Sequence, residues 1–80
     1  MPLKEIFTLS DYEVRAIIRN RLIECRLEAN LTQKEVGDIV GKKPTTVASW
    51  EQGMSLPDIE TLYTLTKYYG KSLKYMFGEE

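Results

Sequence analysis

Two tetrapeptides fix where this chain can begin its helices. Ser10-Asp11-Tyr12-Glu13 and Thr32-Gln33-Lys34-Glu35 each place a hydroxyl three residues ahead of a glutamate. At that spacing the hydroxyl accepts a backbone N–H from the first helical turn. The glutamate reaches back to the N–H of the capping residue, so two orphan donors are satisfied together. Apolar residues three and four apart follow each box: Val14, Ile17, Ile18, Leu22 and Cys25 after the first, Val36, Ile39 and Val40 after the second. No two-residue alternation persists, which predicts an all-helical chain.

The stops are as legible as the starts. Asn30 suits a left-handed end to the first helix near Glu28, and Gly41 closes the second. Pro44 fits the first turn of a third helix, where a missing N–H costs nothing, and Gly53 fits its end. A fourth helix spans Asp58 to Tyr69 with Ile59, Leu62, Leu65 and Tyr69 inward, and stops at Gly70. A short fifth opens at Ser72 and carries Leu73, Met76 and Phe77. The expected architecture is an all-α, compact five-helix bundle over residues 10–80, preceded by an N-terminal arm over 1–9.

Composition removes several functional classes. Eighty residues make one domain, near the lower size at which a chain folds without metals or disulfides. One cysteine and no histidine leave no internal disulfide and no Cys/His zinc site, and a reduced, cytoplasmic setting is expected. No apolar run is long enough for a membrane span or a signal-peptide core. No nucleophile–base pair, metal-ligand cluster or phosphate-cradling glycine loop is present, so neither catalysis nor a cofactor is expected. Carboxylate pairs such as Asp58 and Glu60 read as helix N-terminal charges, and Cys25 as a buried, inert thiol.

Eleven Lys and Arg against twelve Asp and Glu give a net charge of −1, without the basic excess common in nucleic-acid binders. Location matters more than the sum. No acidic residue occurs from Ile39 through Trp50, and Lys42 and Lys43 sit together inside that window. On a helical wheel Val47, Trp50, Glu51 and Met54 share one side of the third helix, with Trp50 a core anchor. Thr45, Ala48, Ser49 and Gln52 share the other, and Lys43 and Pro44 stand at the leading end. Solvated helix faces are usually rich in Glu and Lys; this one is uncharged and low. Short hydroxyl, methyl and amide groups can approach base edges and thymine methyls closely in a major groove. The lysines would lie where phosphates run.

The run LTQKEVGDIVGKKPTTVASWEQG resembles the Cro and lambda-repressor (XRE-type) helix-turn-helix family, whose pattern is L-T-Q, an apolar residue, a small residue, G, a turn, then I-x-x-W-E-x-G. LPDIETL and GKSLKYMFG resemble that family's fourth and fifth helices, so the likeness covers about Ile18 to Gly78. It implies a lambda-repressor-like fold and a sequence-specific transcriptional regulator of double-stranded DNA. The implied regulator is a prokaryotic or phage repressor reading the major groove with the third helix as a homodimer. By position, Lys43, Pro44, Thr45 and Ser49 would face bases, and Gln33, Lys42, Thr46 and Gln52 would meet phosphates. Arg26 and Glu51 would form a structural ion pair. Lys43 stands where the family usually has a capping Ser or Thr; it cannot accept N–H bonds, which removes about 1 kcal/mol of local stability. Gly37 stands where Ala is common and lowers helix propensity by up to roughly 1 kcal/mol.

Some apolar surface is left over. Ile23 and Leu27 lie off the first helix's inner stripe, and Leu3, Ile6, Phe7 and Leu9 precede it. The simpler expectation is that the arm folds back over this patch. Alternatively, the patch or the C-terminal helix, where Tyr75, Met76 and Phe77 cannot all point inward, pairs two copies and sets recognition helices about 34 Å apart. The acidic balance keeps open a second function, a protein-interaction module of the same fold with an antitoxin-like or transcription-component partner.

Overall fold

Ser10 Oγ accepts the amide of Glu13 at 3.1 Å, and Glu13 Oε1 takes the Ser10 N–H at 3.4 Å, so α1 starts at Asp11 and runs to Glu28. A computed structural model describes residues 10–79; the expected arm over 1–9 lies outside the described residues. The second capping box closes in the same way, with Thr32 Oγ1 accepting Glu35 N–H at 3.1 Å and Glu35 taking the Thr32 N–H at 2.8 Å. It opens α2, Gln33–Val40. Three shorter helices follow: α3, Pro44–Glu51, α4, Ile59–Tyr69, and α5, Leu73–Met76. No strand occurs among the described residues.

Each helix ends on a left-handed residue, Asn30 for α1 and a glycine for the other four. The next N–H then folds back onto the last turn, as Leu31 N–H does to the Arg26 carbonyl at 3.1 Å and Met54 N–H to Ser49 at 3.0 Å. These stops keep the connections short enough for α3 to pack on both α1 and α2, while α4 meets α2 and α5, and α5 returns to α1. The core draws on every helix: Ile18, Leu22 and Cys25, then Val36, Val47 and Trp50, then Leu62, Leu65 and Met76. Burial pushes the Cys25 thiol pKa up, which keeps it protonated and unreactive.

Three expectations need correction. Ile59 is 61% exposed, because the buried arc of α4 centres on Leu65 and includes Thr61 and Thr66, leaving Ile59 at its rim. The buried Thr66 hydroxyl is satisfied by the Tyr63 carbonyl at 2.6 Å. Met54 is 70% exposed, because the chain leaves the helical path at Gly53 and the spacing from Val47 no longer applies. Gly37, thirdly, does more than weaken α2. The Lys42 N–H bonds its carbonyl at 2.8 Å as the turn folds over the helix, and a Cβ at 37 would run into the Lys42 carbonyl oxygen.

Gly37→Ala is therefore expected to lower the urea midpoint by the equivalent of about 1–3 kcal/mol. The expected loss outweighs alanine's better helix propensity, roughly 1 kcal/mol. An unchanged or higher midpoint would mean that the turn relaxes around the added methyl.

Candidate nucleic-acid interface

The turn from Gly41 to Lys43 carries α2 into α3. Lys43 occupies the capping position of α3 in extended conformation (φ −75°, ψ 152°) and makes no side-chain cap bond. Its carbonyl accepts from Thr46 at 3.0 Å and Val47 at 3.2 Å. Pro44 has no N–H, so Thr45 presents the open donor of this first turn. Lys43, Pro44, Thr45 and Gln52 are exposed, whereas Thr46, Ala48 and Ser49 are partly buried. Below them Val47 and Trp50 are sealed in the core.

Glu51 fixes the helix from beneath. Arg26 Nε donates to Glu51 Oε2 at 2.7 Å and Arg26 Nη2 to Oε1 at 2.9 Å, a two-pronged pair. Arg26 Nη1 donates to the Leu31 carbonyl at 3.0 Å, and Gln33 Nε2 adds a 3.1 Å bond to Glu51 Oε1. The Arg26 and Glu51 side chains are only 17% and 8% exposed. The pair thus joins α1 to α2 and α3 through the carboxylate and to the α1–α2 turn through the guanidinium. Its hydrogen bond raises the Arg26 pKa further above its ordinary value, so the guanidinium stays charged.

Three site residues have partners that spacing did not reveal. Ser49 Oγ lies 2.7 Å from Ser55 Oγ, so its hydroxyl is shared with the loop after α3. Gln33 has one amide N–H committed to Glu51, which leaves its second. Lys42 Nζ stands 3.8 Å from Asp58 Oδ2, a loose exposed pair that phosphate can displace. Asp58 also caps α4 through a 2.8 Å bond from Thr61 N–H, and bonding to Thr61 holds its pKa below the usual carboxylate value. Among the described residues no cluster of three His, Cys, Asp or Glu could hold a metal. No described helix is long and apolar enough to cross a membrane.

A family profile described as helix-turn-helix matches residues 22–76, from mid-α1 through the end of α5. The chain belongs to this family, in its Cro and lambda-repressor (XRE) branch. The cryptic phage CTXphi transcriptional repressor RstR of Vibrio cholerae is 33% identical to this helix-turn-helix chain over 51 residues, which is 64% of the chain. The chain spans under half, 46%, of that relative's length. No solved structure gives a significant match. Membership and relative together support a DNA-binding transcriptional regulator, a class not typically enzymatic.

In this helix-turn-helix, removing one member of the Arg26–Glu51 pair strands a mostly buried charge. Arg26→Ala is expected to destabilise the fold by about 3–5 kcal/mol. Arg26→Met combined with Glu51→Met should cost far less than the sum of the two single changes. Additive losses in chemical denaturation would show that the pair does not act as a unit.

Proposed function

We propose that the chain is a sequence-specific regulator of double-stranded DNA, acting as a repressor, that lays α3 in the major groove as a homodimer. The observation that carries this reading is the outer side of α3. Lys43, Pro44, Thr45 and Gln52 are exposed there with no acidic side chain of α3 among them, because Glu51, the helix's acidic residue, is turned inward and neutralised by Arg26. A helix lacking its cap, headed by two lysines and offering a free Thr45 N–H, is electrostatically suited to approach a polyanion.

In this reading Thr45 reads a base edge directly, with Lys43 and Pro44 beside it at the groove floor. Ser49 reads through a hydroxyl whose orientation Ser55 helps to set. Lys42, Thr46, Gln52 and the remaining amide N–H of Gln33 meet backbone phosphates, which position the helix without specifying sequence. So few phosphate contacts give one protomer a shallow salt dependence. Two linked half-sites supply the missing affinity, which is the reason for assigning a dimer. We assign its contact to the C-terminal end, where Leu73 and Phe77 are 37% and 39% exposed and Phe77 lines one cleft with the exposed Ile59. The α1 surface around exposed Leu27 is the alternative contact.

The protein-interaction reading would use the same surface, an apolar cleft of about 220 Å³ lined by Ile18, Leu56, Pro57, Ile59, Leu62 and Phe77. Gel shift against random-sequence duplex at low salt separates the two functions. Salt-sensitive retention supports DNA, and none at micromolar protein supports the partner. With a duplex selected from a random pool, Thr45→Ala is expected to weaken selected-site binding by about 1–3 kcal/mol and random-duplex binding much less. Equal losses on both would remove Thr45 as a reader of sequence.

A further inference from the structure

Arg19 lies seven residues before Arg26 on α1, and its environment differs from that of its neighbours. Arg21 bonds the Tyr75 carbonyl at 3.0 Å and Glu24 at 3.3 Å, and Arg26 bonds Glu51 and Leu31. Arg19 is partly buried, and its Nε is shut off from solvent with no acceptor among the described residues. Its side chain rests on the residue that ends α3. Arg19 Cδ and Nη1 lie 3.7 and 3.8 Å from where a Cβ would stand on Gly53, in van der Waals range. The stem is packed against Gly53, yet among the described residues no carboxylate pairs with its charge.

A structural role alone explains this poorly. A cation near the C-terminus of α3 does face the negative end of the helix dipole. However, the Ser49 and Trp50 carbonyls there are already taken by the Met54 and Gly53 N–H groups at 3.0 and 3.2 Å. The surrounding segment, Gln52 to Asp58, contains no lysine or arginine and ends on an acid. The Ser49–Ser55 hydroxyl bond ties this segment alongside the outer face of α3. A helix seated in a major groove has phosphates flanking it. Lys42 serves the leading end, and the chain's local sequence offers no cation at the trailing end.

We propose that Arg19 fills that gap: delivered from α1 to the Gly53 end of α3, its outer guanidinium edge contacts a DNA backbone phosphate. This assignment rests on the DNA-binding reading and extends it to a residue outside the α2–α3 motif. Arginine suits the task, because a planar fork already ordered by packing loses little freedom on meeting a phosphate.

The test is the salt dependence of binding to a random-sequence duplex, measured between about 50 and 200 mM salt. Arg19→Gln should lower the slope of log affinity against log salt by about 0.9 per bound protomer, the share of one neutralised phosphate. Arg19→Lys should restore most of it, and Lys67→Gln, which removes the same charge from the exposed side of α4, should leave the slope unchanged. The slope does not depend on the active fraction of a sample, so a modest loss of stability in Arg19→Gln does not imitate the effect. A wild type that binds while Arg19→Gln keeps its slope overturns this assignment alone, even if its urea midpoint falls. Equal slope losses in Arg19→Gln and Lys67→Gln overturn it too, as an effect of net charge. A wild type with no salt-sensitive binding overturns the DNA reading and this assignment together.

Discussion

The Arg26–Glu51 pair is the contact on which the rest of the molecule depends. Helix α3 has eight residues, too few to persist alone in water, so its direction must come from what holds it. Val47 and Trp50 supply apolar anchorage, but apolar contacts permit small rotations of a short helix. The two-pronged guanidinium–carboxylate geometry, with Gln33 completing the carboxylate's bonds, constrains rotation much more tightly. A buried pair of this kind contributes little net stability because both ions lose water. Its value here is orientation: it turns the acid of α3 away from the outer face and leaves that face uncharged.

Order and restraint are unevenly distributed along α3. Its C-terminal half is tied by Glu51, by the Ser49–Ser55 hydroxyl bond and by the backbone bonds around Gly53. Its N-terminal turn has a proline, two lysines and no cap. Local stability is lowest where neighbours and hydrogen bonds are fewest, so the end that would meet DNA first is also the least restrained. In the proposed DNA-bound state, a phosphate would supply the acceptors that a serine or threonine cap would have given to the free protein. The Lys42–Asp58 contact complements this arrangement, holding the turn near the start of α4 weakly enough to be exchanged.

Helix starts and stops were legible because local chemistry decides them. The two capping boxes, Pro44 and the left-handed Asn30 and Gly41 stand where the spacing implies. The core stripe on α1 was equally plain, since Ile18, Leu22 and Cys25 follow helical period and are buried. What the sequence concealed depends on contacts between distant segments or on breaks in periodicity. Met54 falls on the inner side only if the helix continues through Gly53, whose left-handed backbone ends it. Ile59 fits the apolar spacing but sits at the rim of the buried arc. The Ser55 partner of Ser49, the obstruction that requires Gly37, and Arg19 beneath Gly53 all depend on how the chain folds back. The outer face of α3 was readable because it is one helix surface; its partners were not.

The central claim is that this uncharged face, held by Glu51 from below, is what a duplex touches. Amide chemical shifts of isotope-labelled protein, followed while a duplex recovered from a random pool is added, test it most directly. The account predicts the largest changes from Lys42 to Ser49 and around Gly53, with Leu65 and Met76 in the core nearly still. Changes concentrated around Ile59 and Phe77, with the amides of α3 unmoved, would contradict it.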